Sequence, residues 1–242
     1  VGGLAHYLEE AGIATTQISL CRLHTEQMRP PRALWVPFEF GRPFGPPNNA
    51  AFQTRVLMSA LQLLTFDVGP VLTDFPEDEP ATLGEQMGWA CPINISRPHR
   101  TLTGGAAIAA ALTEEIAQFT PWYDLAVKSR GRTTVGVSGL DLPEIATLFG
   151  AMFDDPLPSS PVPTLALADV IRLAAEDLKA YYIEAASAQP GEAGSRQLSE
   201  WFWRATRAAD TLKRMKERCL NSNDESLKIV GAVLLVPYAQ AG

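Results

Sequence analysis

Cysteine and histidine are the side chains best suited to nucleophilic and acid–base chemistry, and this chain has three of each. Cys91 stands in Gly88-Trp89-Ala90-Cys91-Pro92, outside any periodic run. A loop thiol near a positive group has a lowered pKa and serves as a nucleophile or resolving thiol. His99 follows in the same irregular stretch and is a candidate base for it. The competing reading of Cys91 is a small buried hydrophobe. His24, in Arg22-Leu23-His24-Thr25-Glu26, comes just after a β-rich segment. There it can move protons, with Glu26 orienting the ring; a surface or capping histidine is the plainer alternative. Cys219 falls on an apolar helix stripe and Cys21 ends a strand, so packing is the simpler role for both. His6 lies on a helix face and carries little weight.

A binding loop stands out next. Residues 39–48 are rich in glycine and proline and include Gly41-Arg42-Pro43 and Gly45. Glycines at such positions let the backbone approach a ligand closely, and an arginine grips a carboxylate with two parallel bonds. Turn geometry and an exposed loop arginine account for the same residues without a ligand. No metal is expected, because the cysteines and histidines are scattered and give no ligand spacing. The acidic residues Asp74, Glu77, Asp78 and Glu79 lack the pattern of a calcium loop. Residues 133–139 end in glycines ahead of a helix, a place where phosphate can bind. With neither GxGxxG nor a P-loop lysine, a nucleotide site is not expected there, and the sequence names no cofactor.

These residues need elements to hold them. Residues 2–12 predict a helix end with Leu4, Tyr7, Leu8 and Ala11 on one face and Gly12 as C-cap. Residues 13–20 alternate and predict a strand, 24–29 a short helix or turn, and 33–38 an apolar strand. Asn49 caps a helix over 50–64, with Phe52, Val56, Leu57, Ala60, Leu61 and Leu64 on its stripe. Residues 65–102 read as irregular. Beyond them come a helix capped by Thr103 and running to about 119, a second opened by Thr120-Pro121, a short strand at 133–137, and a helix after the capping box of Asp141 and Glu144. Prolines make 155–163 a linker, and three amphipathic helices follow, the last opened by a capping box of Ser222 and Glu225. The fold class is α/β: a partial doubly wound, Rossmann-like parallel sheet, then a mainly helical C-terminal region. The organisation is residues 1–87 α/β, 88–154 mixed and mainly helical, and 155–242 linker plus helices.

Composition excludes some partners. The 242 residues are 46% hydrophobic and carry a net charge of -7, so a nucleic-acid or anionic-membrane surface is not expected. Lys213, Arg214, Lys216 and Arg218 read as the solvated face of a helix. No apolar run reaches the roughly 20 residues of a membrane helix, the opening does not read as a signal peptide, and the odd cysteine count suits a cytoplasmic protein with reduced thiols.

The ordered features of residues 8–64 resemble one family. Leu8-Glu9-Glu10-Ala11-Gly12-Ile13 enters a strand; Ala33-Leu34-Trp35-Val36-Pro37-Phe38 follows; then come Gly41-Arg42-Pro43, Gly45-Pro46, and a helix with Arg55 ahead of an apolar run. This order is similar to the selenoprotein B component of glycine, sarcosine and betaine reductases and to the related D-proline reductase subunit. The resemblance covers about a quarter of the chain. It implies an oxidoreductase that cleaves a small anionic nitrogen-containing substrate with a thiolate or selenolate. It places the family's redox residue upstream of Val1, and the family commonly has another polar residue where Arg42 stands. The residues also fit a non-catalytic partner or assembly subunit that binds a protein, or a second copy of itself, through its C-terminal helices.

Overall fold

A computed structural model describes residues 2–80, 89, 91, 103–191, 193–237 and 240. The chain divides into two compact units, Val1–Ala81 and Thr82–Gly242.

The first unit runs α1 (Gly2–Glu10), β1 (Gln17–Ser19), α2 (Arg22–Met28), β2 (Arg32–Trp35), α3 (Ala50–Gln62) with a closing 3-10 turn (Leu63–Thr65), and β3 (Val71–Asp74). The strands are parallel and ordered β1-β2-β3, with Ile18 beside Leu34 and Leu34 beside Thr73. β3 lies in the stretch whose sequence reads as irregular. Its pairing makes it a strand: the Val71 N–H donates to the Pro31 carbonyl at 3.0 Å and the Phe75 N–H to Trp35 at 2.8 Å. Four residues carry too little local pattern to show this.

Asn49 caps α3 by accepting from the Phe52 N–H at 3.1 Å. α3 then buries Phe52, Val56 and Ala60 with Leu34, Val36, Phe38, Leu63 and Phe75. The rings of Phe38, Phe52 and Phe75 close this core with centroids 5.5–5.9 Å apart. The predicted stripe is broader than the buried one: Leu57, Leu61 and Leu64 are exposed, since a short sheet covers only a narrow arc of the helix. The expected face of α1 is also corrected. Leu4 and Tyr7 are exposed, whereas Gly2 and Ala5 are buried, Gly2 lying against Met28 and Gln17.

The second unit is helical among its described residues: α4 (Gly105–Arg130), α5 (Leu142–Ala151), α6 (Leu167–Ser187), α7 (Ser195–Ala205), α8 (Arg207–Leu220) and α9 (Glu225–Val233). α4, α5 and α6 pack on one another, at one point so closely that a Cβ on Gly150 would meet the Gly105 backbone and the Ala109 side chain. α6 runs through the centre, burying Val170, Ile171, Ala174, Leu178, Tyr181, Tyr182 and Ala185.

Four sequence expectations are corrected here. α4 continues through Pro121. The ring removes the N–H that would bond the Ala117 carbonyl, and at the neighbouring Ile116 carbonyl the Tyr181 hydroxyl donates at 2.7 Å, tying this turn to α6. Residues 133–137 form a loop instead of a strand, because two α6 carboxylates take their backbone donors. α4 starts at Gly105, whose N–H goes to Asp154 at 2.9 Å, and Thr103 does not cap it. The stripe from Leu198 to Cys219 is two helices, broken at Thr206, which caps α8 by accepting from Ala209. A smaller shift is that Asp224 caps α9 in place of Ser222.

Candidate functional site

The carboxyl ends of β1, β2 and β3 fall at Ser19, Trp35 and Asp74, and the connections leaving them carry most of the candidate residues. α2 follows β1 after only two residues, so its first turn sits at this edge. Arg22 Nε reaches Asp74 at 3.2 Å and its Nη1 meets Glu26 one turn on, so a single guanidinium ties α2 to the end of β3. The Asp74 hydrogen bond, followed by the charges of Asp74 and Glu26, holds Arg22 more firmly protonated than usual. Ser19 and Thr25 share a short hydroxyl–hydroxyl contact beneath it, with Thr25 buried.

Glu26 therefore serves Arg22. His24 lies two positions away on the same helix, where side chains do not face each other, and is exposed. Cys21 is exposed at the N-cap of α2 and not packed in the core, which corrects its expected role; the strand stops two residues short of it.

After β2 the loop turns through Gly41 (φ 90°) and Gly45 (φ 80°). Gly45 is buried, and a Cβ there would collide with the Phe52 ring, so its bareness serves packing. Gly41 has open space around it. Arg42 Nη1 stands 3.7 Å from the Glu79 carboxylate, with its side chain 35% exposed, and Pro43 is half-buried beside it. Arg55 makes a two-pronged pair with Glu77 at 2.7 and 2.9 Å. At the opposite end of the sheet, Arg32 joins Glu9 at 2.7 Å; bonds from the Thr15 backbone and hydroxyl lead the effects holding the Glu9 carboxyl below its ordinary range.

Cys91 belongs to the second unit, where it packs against the helical core and its Sγ donates to Gln189 Oε1 at 3.3 Å. Its proposed base, His99, lies outside the described residues. Cys219 is fully buried on α8, and burial pushes its thiol up to about 11, which keeps it unreactive.

The second unit also holds carboxylates that sequence reasoning passed over. Asp177, fully buried on α6, accepts from the backbones of Gly136, Val137 and Ser138 at 2.7–2.9 Å and from the Ser138 hydroxyl. Glu184, two turns later, accepts from Thr133 and twice from Thr134. Its desolvation is outweighed by these bonds, and its carboxyl is held below the usual range. Glu115 on α4 accepts from the Arg207 and Ala208 N–H groups and from the Tyr182 hydroxyl at 2.8 Å. Desolvation dominates there and raises its pKa, while burial and the adjoining carboxylate push the Tyr182 hydroxyl well above its ordinary value. Nothing local marks these three residues, since their partners lie the equivalent of roughly ten or more helical turns away in sequence.

Among the described residues, no group of three or more His, Cys, Asp or Glu stands where it could hold a metal, and no helix is long and apolar enough to cross a membrane. No family model, no curated protein and no solved structure matches the chain.

Proposed function

We propose that the chain is an oxidoreductase-like enzyme or subunit of the thiol- or selenol-dependent kind, cleaving a small anionic nitrogen-containing substrate reductively. Its first unit is then a partial doubly wound, Rossmann-like module in a cytoplasmic protein. The observation that carries this reading is positional. His24, Glu26, Gly41, Arg42, Pro43 and Gly45 all lie on the two connections leaving adjacent parallel strands, where open α/β sheets bind their ligands. The resemblance of residues 8–64 supports the same reaction class.

In this reading Arg42 exchanges Glu79 for the substrate carboxylate. The 3.7 Å separation is longer than a tight charge-assisted bond, and the guanidinium is within reach of solvent. His24 supplies the proton for the leaving amine. The attacking sulfur or selenium is the redox residue that the resemblance places upstream of Val1. Calorimetric titration of glycine, sarcosine, betaine and proline tests it. Saturable binding of one of them is expected, weakened about tenfold by Arg42→Met. Folded protein that binds none of the four would remove this reading.

A second reading is a non-catalytic partner subunit that docks through its C-terminal helices. Ile229 and Val233 favour it: they sit one turn apart on α9 and are 60% and 68% exposed. Sedimentation of wild type against Ile229→Asp separates the two, since only a docking face, to a partner or a second copy, changes assembly.

A further inference from the structure

Among the described residues of the second unit, two buried side-chain N–H donors meet no acceptor, and both lie near Cys91. Gln189 is only 4% exposed and its Oε1 takes the Cys91 thiol at 3.3 Å, yet its Nε2 has no partner. The Trp89 indole Nε1 is likewise buried without one. Gly191, two residues beyond Gln189, lies under the same edge of the indole: a Cβ there would sit 3.4 Å from Trp89 Cδ1 and 4.0 Å from Nε1. Native proteins rarely leave such donors unpaired, because each has given up its water without compensation.

We propose that Trp89, Cys91 and Gln189 form a binding site for a small neutral carbonyl compound: an amide, ester or ketone. Both orphan groups donate, so the ligand must bring an acceptor oxygen. The wall is aromatic. Trp89 packs edge-to-face on Trp201 at 6.0 Å, and Trp201 lies 5.6 Å from Phe119 and 6.5 Å from Tyr182. A flat or apolar group flanking the carbonyl stacks there. Charge selects against an acid. Gln189 comes directly after the C-terminal end of α6, where the negative end of the helix dipole repels an anion. The thiol sits beside the amide, so a bound electrophilic carbonyl compound is delivered to sulfur. This site is independent of the strand-edge site in the first unit, and its failure leaves that reading untouched.

Haloacetyl reagents test it on the intact chain, with exposed Cys21 as internal reference. Iodoacetamide is neutral and iodoacetate is its anionic counterpart. In each, the thiolate sulfur attacks the methylene carbon, iodide leaves, and the thiol proton passes to solvent. Rates at each cysteine are read by peptide mass spectrometry. Iodoacetamide should label Cys91 with saturating kinetics and a preference over iodoacetate about tenfold greater than at Cys21. Benzamide should protect Cys91 and benzoate should not. Trp89→Phe, which keeps an aromatic ring but removes the N–H, and Gln189→Met should each abolish the saturation while the circular dichroism of the fold is retained. Kinetics linear in reagent, equal protection by benzamide and benzoate, or no labelling of Cys91 by either reagent overturns the proposal.

Discussion

The two units use their carboxylates for different purposes. In the first, Glu9, Glu26, Asp74, Glu77 and Glu79 each meet an arginine, and most of these pairs are half exposed. In the second, Glu115, Asp154, Asp177 and Glu184 accept from backbone N–H groups of distant segments. Exposed ion pairs contribute little, because solvent and side-chain entropy offset them. A carboxylate that satisfies several buried backbone donors fixes the path of a loop or the start of a helix, and its loss leaves all of them unpaired. The α/β unit is thus held by its small aromatic core and its ladder, with charge at its rim. The helical unit has charge built into its interior as a positioning device.

Breaking this contrast begins with Asp177. Asp177→Ala strands three backbone donors and the Ser138 hydroxyl, and should cost about 4 kcal/mol in urea denaturation. A loss below 1 kcal/mol, roughly that of an ordinary surface change, would remove the distinction between the units. Next is Phe52→Ala, which empties the middle of the three-phenylalanine core at a cost of about 3 kcal/mol. Amide exchange should accelerate within residues 2–80 and stay slow in α4 to α6. Exchange that rises equally in both would show that the units do not open separately.

A smaller effect sharpens the comparison through pH. The Glu115 carboxyl is raised, so its neutral form is favoured in the folded chain. Its contribution is complete below the ordinary value of 4.5 and is lost as pH rises through the raised folded value. The Glu184 carboxyl is lowered, so its contribution is present above 4.5 and lost as pH falls through the lowered value. Mild acidification from neutrality should therefore stabilise the second unit before stronger acid weakens it. Glu115→Gln should flatten the first limb, and Glu184→Gln the second. Thermal melts across this range decide it: a wild type and Glu115→Gln of identical pH profile would refute the buried-carboxyl account. The smallest effect belongs to Arg55→Gln, whose partner Glu77 is as exposed as itself; denaturation curves should coincide with wild type.

How much of this was legible depended on the range of the partner. Asn49 and the Asp141–Glu144 box cap their helices as the sequence predicts, because donor and acceptor lie three residues apart. The apolar periodicity of α6 locates the centre of the helical core, and residues 13–20 and 33–38 locate two parallel strands. β3 was illegible because four residues hold no period. The break at Thr206 was illegible because Glu115, which takes the freed N–H groups, lies on another helix.

The candidate site divides in the same way. Loop chemistry drew attention to residues 39–48, and strand order puts them at the carboxyl edge of a sheet. The one-turn spacing on α2 took Glu26 from His24 to Arg22, whereas only the tertiary structure filled the space above Gly45 with Phe52 and set Cys91 against Gln189 in the helical unit. Sequence by itself determined the apolar faces, the local caps and the acidic charge, because each depends on residues a turn or two apart. Tertiary structure alone decided which buried carboxylate meets which donor. A buried polar group must find a partner wherever the fold supplies one, and that distance is not written in local spacing.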